Sequence, residues 1–232
     1  MAAFRLAQEQ GADAFEFDVR LTLDGVPVLL HDPTVDRTTN RTGLLRTFTL
    51  ERLRDVDAGA RFTRDRGRSY PFRGAEVRIP TLQEVLREFP EMPCMVEIKE
   101  AEAQEAVRRV LLEESAVERC VLASERHEAL TMFREPPFAT ASSGPEIAAF
   151  YRAVLLRRLP ASVLYRCLSV PIRHRGLLPV PTRTFVAAAR RLGCPVHVWT
   201  INDPATARLL WSRGVAGVVT NYPDSMRRAS EK

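Results

Sequence analysis

Three carboxylates stand near the ends of two short apolar stretches of the sequence. Glu16 and Asp18 are two residues apart in the stretch 14–19, and Glu97 lies in the stretch 94–99. Residues two apart on a strand face the same side of the sheet. Carboxylate oxygens suit Mg²⁺ or Ca²⁺ better than zinc, so the three residues are candidate ligands of one divalent cation. The alternative is that these acids only pair with some of the many arginines.

Other polar or aromatic side chains stand at similar positions. His31 can act as a general acid or base because its unperturbed pKa is near neutrality, although a lone histidine at a strand end is more often structural. Lys99 can hold a phosphate oxygen or neutralise the neighbouring carboxylates. Trp199 can stack on an apolar or glycerol face of a substrate, or simply fill the top of the fold.

The elements that must position these residues alternate along the chain. Amphipathic helix patterns separate short apolar runs, and Thr81 and Asp203 are typical helix caps. Alternation of this kind predicts parallel β/α units, which present their chemistry at the carboxyl ends of the strands in a barrel. The predicted strands are 14–19, 26–31, 94–99, 120–124, 138–141, 167–172, 196–200 and 217–221.

One pair of strands departs from this rhythm. Asp24-Gly25 joins the first two runs and is a strong hairpin signal, so 26–31 is predicted to be an antiparallel extension outside the barrel. Seven parallel strands remain, one short of a closed eight. We therefore expect this chain to lack the first strand of the barrel. Residues 41–80 contain little regular apolar pattern and are predicted to form an insert or lid-like excursion within a single domain, 1–232.

Composition excludes several classes of protein. The net charge is +5, carried almost entirely by arginine, which could attract an anionic substrate or only reflect codon usage. The arginines are mixed with acids, so no nucleic-acid partner is expected. No apolar run is long enough to span a membrane and no secretory signal is visible, so we expect a cytoplasmic protein without membrane insertion. The four cysteines form no CxxC pair and are expected to be buried free thiols.

Residues 11–43 read GADAFEFDVRLTLDGVPVLLHDPTVDRTTNRTG and resemble the glycerophosphodiester phosphodiesterase family's run G-A-D-x-x-E-x-D-V-x-x-T-x-D-G-x-P-V-x-x-H-D. The later segments VRIPTLQEVL, VEIK, SVP, VHVWTIND and GVVTNYPD are similar to the family's segments in the same order. This resemblance implies a TIM-type (β/α)8 barrel. It also implies metal-dependent hydrolysis of small-molecule glycerophosphodiesters to sn-glycerol 3-phosphate and an alcohol, by two histidines around one Mg²⁺ or Ca²⁺.

The resemblance assigns roles to the candidate residues. Metal ligation falls to Glu16, Asp18 and Glu97, and His31 matches one catalytic histidine. The substrate-binding positions are matched by Lys99 and Trp199. The family's His-Arg-Gly and Glu-Asn-Thr motifs, which carry the other histidine, a phosphate-binding arginine and a further carboxylate, would fall before Met1. The triplet at 174–176 follows a later strand, and we do not expect it to replace them.

Two other functional hypotheses are consistent with the sequence. The chain could be a catalytically inactive barrel that binds phosphate esters or a partner. It could also be a related lipid phosphodiesterase, which would need an exposed apolar rim, and the segment 62–74 is too polar to supply one. The sequence does not determine the head group, the choice of cation or the oligomeric state.

Overall fold

The computed structural model describes residues 1–174 and 176–231, and its strands and helices alternate as predicted. The helices and strands, in chain order, are α1 (Ala2–Glu9), β1 (Phe15–Leu21), β2 (Pro27–Leu29), α2 (Leu50–Arg54), α3 (Leu82–Glu88), β3 (Cys94–Ile98), α4 (Gln104–Glu113), β4 (Cys120–Ala123), β5 (Ala139–Thr140), α5 (Gly144–Leu155), β6 (Leu168–Pro171), β7 (Arg173–His174), β8 (Leu178–Pro179), α6 (Arg183–Arg191), β9 (Val196–Trp199), α7 (Pro204–Ser212), β10 (Gly217–Val218) and α8 (Pro223–Ser230).

The strands that follow one another along the chain pair in parallel. One group has the order β1-β3-β4-β5 and the other the order β6-β9-β10, with an isolated parallel bridge from Ala141 to Cys167 between them. Seven parallel strands are therefore present in the described residues, the number predicted from the sequence. α-Helices connect the successive parallel strands, as parallel pairing requires, except that a 3-10 helix at His127–Phe133 joins β4 to β5.

The predicted hairpin is present and lies outside this parallel set. β2 pairs antiparallel with β1, with Val19 opposite Leu29, and Gly25 in the turn has a φ of +74°. Glycine adopts such a φ without the steric cost that a Cβ would add. β2 ends at Leu29 rather than at residue 31 as predicted, so His31 lies beyond the strand and not on it.

Side-chain caps begin the helices where the sequence places them. The Thr81 hydroxyl accepts from the Glu84 amide, and the Glu84 carboxylate accepts from the Thr81 amide, which completes a capping box on α3. Asp203 caps α7, whose first residue is proline. A second capping box, from Ser143 and Glu146, begins α5.

Two large hydrophobic cores stand behind the strands. One joins β1, β3 and β4 to α3 and α4, and the other joins β6 and β9 to α5, α6 and α7. Within the segment 41–80 only α2 and a 3-10 turn at Leu45–Thr47 are regular. Its apolar residues still pack together over β2, in a small cluster of Val28, Val35, Leu45, Leu53, Val56 and Ile79.

Some features differ from the predictions or extend them. The sequence did not predict the β7–β8 hairpin, and Arg175 of the triplet 174–176 lies outside the described residues. β10 spans Gly217–Val218 rather than 217–221. All four cysteines are free and buried, as predicted. Among the helices in the described ranges, none has the length and apolar character needed to cross a membrane.

Candidate active site

The three predicted carboxylates come together on one face of the paired strands β1 and β3, with Glu16 near the start of β1 and Glu97 near the end of β3. Parallel pairing places Asp18 opposite Glu97, and Phe15, Phe17 and Val19 are buried while the alternate residues of β1 are not. The period of two therefore turns Glu16 and Asp18 to the same face. One carboxylate oxygen from each of Glu16, Asp18 and Glu97 lies within 4.8 Å of the others.

Lys99 lies inside this acidic cluster. Its Nζ is 2.8 Å from Asp18 Oδ1 and 2.5 Å from Glu97 Oε1. Burial alone would lower the pKa of Lys99, but its hydrogen bonds to Asp18 and Glu97 raise the pKa above its ordinary value. The ammonium group therefore stays charged and neutralises part of the cluster, which is one of the two roles that the sequence left open.

The remaining negative charge is not compensated by the protein. Burial, with the nearby charges of Asp18 and Glu97, raises the pKa of Glu16 to about 7. Burial also raises the pKa of Glu97, against the opposing effect of Lys99. Glu16 makes no ion pair within the part of the chain that the structure describes. Crowded, partly buried carboxylate oxygens with too little positive charge fit a hard divalent cation as their partner.

His31 is held by a short chain of ionic contacts just beyond β2. Its Nδ1 lies 2.7 Å from Asp32 Oδ1, and Asp32 Oδ2 accepts from Arg37 Nε at 2.5 Å. The hydrogen bond from Arg37, followed by that from His31, holds the pKa of Asp32 at about 2. Because Asp32 is an ionised acceptor, it favours the tautomer with the proton on Nδ1. Nε2 is then left to give or take a proton.

Trp199 ends β9 and lines a cavity of 470 Å³ at the carboxyl ends of the strands. Glu97 lines the same cavity, so the cavity is continuous with the acidic cluster. Glu16, Asp18, Lys99 and His31 are not among its lining residues. His174, on the β7–β8 hairpin, does line it, although the sequence analysis gave this histidine no role in the chemistry.

Sequence reasoning missed several residues of this region. It did not single out Asp32, although the adjacent His-Asp pair was an available signal for its contact with His31. It did not single out Ser142, whose buried Oγ lines the cavity without a hydrogen-bond partner in the described residues. It also missed the cavity wall formed by α5 and β8, for which the sequence offers no signal distinct from ordinary core packing.

Parallel β/α units with a charged cluster at the carboxyl ends of the strands define an α/β-barrel protein of the enzyme type. Comparison with known proteins identifies the family. The Glycerophosphoryl diester phosphodiesterase family matches residues 1–225, and the chain belongs to this family. The resemblance predicted from the motifs is thereby confirmed.

Individual relatives agree with this assignment along nearly the whole chain. The Bacillus subtilis protein YhdW is 33% identical over 97% of this chain and 88% of its own length. A glycerophosphodiester phosphodiesterase of Caldanaerobacter subterraneus is 28% identical, over 97% of this chain and 89% of that protein. Both alignments include all six predicted site positions in their overall span, since so little of the chain is left uncovered.

Solved structures confirm the predicted TIM-barrel fold class. An Oleispira antarctica phosphodiesterase in complex with the product sn-glycerol-3-phosphate has a TM-score of 0.79 and 27% identity, covering 100% of this chain and 90% of that one. A glycerophosphoryl diester phosphodiesterase domain from Mycobacterium tuberculosis has a TM-score of 0.85 over 99% of this chain and 92% of that one. At 19% identity, the second likeness supports the fold alone.

Proposed function

We propose that this chain hydrolyses glycerophosphodiesters to sn-glycerol 3-phosphate and an alcohol. The observation that carries the proposal is the acidic cluster, in which oxygens of Glu16, Asp18 and Glu97 lie within 4.8 Å of one another beside a ligand-sized cavity. Family membership and the product bound to the Oleispira antarctica relative support the choice of substrate class. In this proposal residues 1–232 act as one domain, and 41–80 are an insert within it.

Glu16, Asp18 and Glu97 would hold one divalent cation, either Mg²⁺ or Ca²⁺. When bound, the cation supplies positive charge that polarises the phosphoryl oxygens and stabilises the transition state. Lys99, which contacts Asp18 and Glu97, offsets part of their negative charge and brings a second positive charge to the side of the site where a phosphoryl oxygen binds. Trp199 offers the substrate an aromatic surface in the cavity.

His31 performs the proton transfer in this proposal. A water oxygen attacks phosphorus, the bond from phosphorus to the alcohol oxygen breaks, and the departing oxygen gains a proton. Nε2 of His31 either gives that proton, while the attacking water loses its own proton to solvent, or removes the proton from the attacking water, while solvent protonates the departing oxygen. Asp32, 2.7 Å from Nδ1, orients the ring. The family resemblance implies a second catalytic histidine. Of the groups in this chain, the proposed proton transfer uses His31 and Asp32 alone.

The test is release of glycerol 3-phosphate from glycerophosphocholine by the purified chain. We expect activity with Mg²⁺ or Ca²⁺, loss of activity in EDTA, and recovery when the cation is restored. Glu97→Gln should abolish the release, whereas Glu113→Gln, on the exposed surface of α4, serves as the matched control. Release that resists both EDTA and Glu97→Gln would contradict the proposal. Binding of glycerol 3-phosphate without any turnover would instead identify a phosphate-ester binding protein.

A further inference from the structure

The cavity beside Glu97 has two chemically distinct parts. Its inner part carries Glu97 and the serines that follow β4 and β5, Ser124 and Ser142. Ser124 Oγ donates to the Ile98 carbonyl at 2.7 Å, but the buried Ser142 Oγ has no partner in the described residues. A buried hydroxyl without a partner costs free energy, which a polar group of a ligand in the cavity would recover.

The outer part of the cavity is a wall of hydrocarbon. α5 contributes Ile147, Tyr151 and Leu155 from one face, and Leu178 and Val180 approach from the β7–β8 hairpin and the residue after it. These positions on α5 are four residues apart, so they form one stripe along the helix. The stripe faces the cavity, while Phe150 of the same helix is buried in the core.

The mouth of the cavity is also apolar, although it faces solvent. Leu155 is 69% exposed and Leu178 is 56% exposed, and both line the cavity. Their chain neighbours Leu156 and Leu177 are 61% and 79% exposed. A single exposed leucine carries no information, but several around one opening mark a binding surface. This is the apolar rim that the segment 62–74 could not supply.

From this arrangement we infer that the cavity binds a hydrocarbon chain of the substrate, which is then a phosphodiester carrying one acyl or alkyl chain. The inference rests on the proposed function and deepens it. The polar end of such a molecule lies at Glu97 and Ser142, and its chain runs outward between α5 and β8. A volume of 470 Å³ is in the range of sites for small ligands, about 300–1,000 Å³.

The test compares substrates that differ only in this chain. The probes are glycerophosphocholine, its 1-hexanoyl and 1-octanoyl derivatives, and glycerophosphoethanolamine N-acylated with the same two acids, all kept below micelle-forming concentrations. The first series carries the chain on glycerol and the second on the departing alcohol. We expect kcat/KM to rise about fourfold for each buried methylene in one series, which identifies the side of the phosphate that faces the cavity. No rise in either series overturns the inference.

A matched pair of variants ties the effect to the cavity. Ala148 and the adjacent Ala149 are both exposed on α5, but Ala148 lines the cavity and Ala149 does not. Ala148→Trp should lower the ratio of kcat/KM for the octanoyl substrate to that for its unacylated parent by about tenfold or more, because the indole occupies the space of a few methylenes. Ala149→Trp should keep the wild-type ratio. An unchanged ratio in folded Ala148→Trp protein overturns the inference.

Binding measured without turnover separates this inference from the proposed function. In Trp211→Phe protein, Trp199 is the remaining tryptophan and lines the cavity. With EDTA present, titration with 1-octanoyl-glycerophosphocholine should shift the Trp199 emission, and glycerophosphocholine should require far higher concentrations. Binding of the chain without turnover of any substrate overturns the proposed function and supports the chain site. Turnover of glycerophosphocholine without binding of the octanoyl chain supports the proposed function and overturns the inference of a chain site.

Discussion

At the carboxyl ends of the strands, the β1–β3 side and the β5–β9 side of the molecule present different surfaces. On the first side Glu16, Asp18, Glu97 and Lys99 are crowded together, and charge is in excess. On the second side the strand ends open into a cavity whose outer wall is apolar. Each side is supported by its own hydrophobic core. The difference indicates a division of labour, in which one side supplies the chemistry and the other holds the substrate.

Two carboxylates illustrate the contrast. Burial and neighbouring acids raise the pKa of Glu16 to about 7. Burial acts in the same direction on Glu146, at the start of α5, but hydrogen bonds from Ser143 and Arg134 outweigh it and lower the pKa. Glu146 is therefore satisfied within the fold, whereas Glu16 makes no ion pair in the described residues and, in the proposed function, has a cation as its partner. A structural acid and a ligand acid differ here in their partners and not in burial alone.

The largest effect is expected for Asp18→Asn, which removes one charge from the acidic cluster. We expect kcat/KM to fall about 10³-fold, roughly 4 kcal/mol, because the cation would lose a ligand and Lys99 a partner. The cation concentration for half-maximal activity should also rise. Steady-state kinetics over a Mg²⁺ series measures both. If Asp18→Asn lowers activity but leaves the cation requirement unchanged, the acidic cluster is not the cation site.

The next largest effect is expected at His31, and His174 on the cavity side serves as the comparison. His31→Gln should lower kcat about 10²-fold, because the proton transfer assigned to Nε2 is lost. His174→Gln, on the cavity side, should change kcat less than about threefold, since His174 has no assigned proton to transfer. Asp32→Asn should cost about tenfold by loosening the His31 ring. Equal losses from the two histidines would contradict the division between the two sides.

The acidic cluster on the β1–β3 side of the molecule could be predicted from the sequence. Glu16, Asp18 and Glu97 interrupt apolar runs, and a charged residue in a buried strand needs a partner. Parallel pairing then brings strand ends to one edge, so the cluster of these residues could be predicted before its register was known. The Asp32 contact with Arg37 could not, because it depends on the path of an irregular loop after β2.

The apolar side was not readable from the sequence, for a physical reason. Ile147, Phe150 and Leu155 all fit the apolar pattern of one helix, yet Phe150 is buried in the core, Ile147 both packs against that core and lines the cavity, and Leu155 lines the cavity. Periodicity identifies the apolar face of a helix, but it does not show whether that face packs against the core or lines an open cavity. The β7–β8 hairpin was missed because each strand has only two residues, too short for a pattern.

A smaller effect on stability is expected where Glu146 anchors α5. Its carboxylate accepts from the Ser143 amide at 2.8 Å and pairs with Arg134. Because the folded-state pKa is lowered, the stabilisation is present at neutral pH and is lost as pH falls through that pKa. Glu146→Gln should reduce the free energy of unfolding by about 2 kcal/mol at pH 7. The loss should be smaller at pH 3 than at pH 7, because the carboxyl of the unfolded chain is protonated there and the folded-state carboxylate gains less from being ionised.

Urea unfolding at both pH values measures this difference. Glu91→Gln, at an exposed position before β3, controls for the loss of one negative charge. A deficit in Glu146→Gln that is equal at pH 7 and pH 3 would mean that the ionised carboxylate is not what stabilises the start of α5. In Glu146→Gln protein at pH 7, the rise in kcat/KM with acyl-chain length should also be smaller than in the wild type, because α5 forms the cavity wall.

The smallest effect is expected for Leu155→Ala, and its smallness is informative. Leu155 is 69% exposed, so its loss should change the free energy of unfolding by less than about 0.5 kcal/mol. Leu210→Ala, at a leucine 1% exposed in the core behind the same side, should cost about 3 kcal/mol. Yet Leu155→Ala should reduce the gain in kcat/KM that the octanoyl chain gives. Leu210→Ala should leave this gain unchanged, because Leu210 does not line the cavity. An apolar side chain that adds nothing to stability but favours an acylated substrate belongs to the binding surface rather than to the core. If Leu155→Ala instead destabilises the fold as strongly as Leu210→Ala and leaves substrate preference unchanged, the apolar side is an extension of the core, and the two sides differ in composition without differing in role.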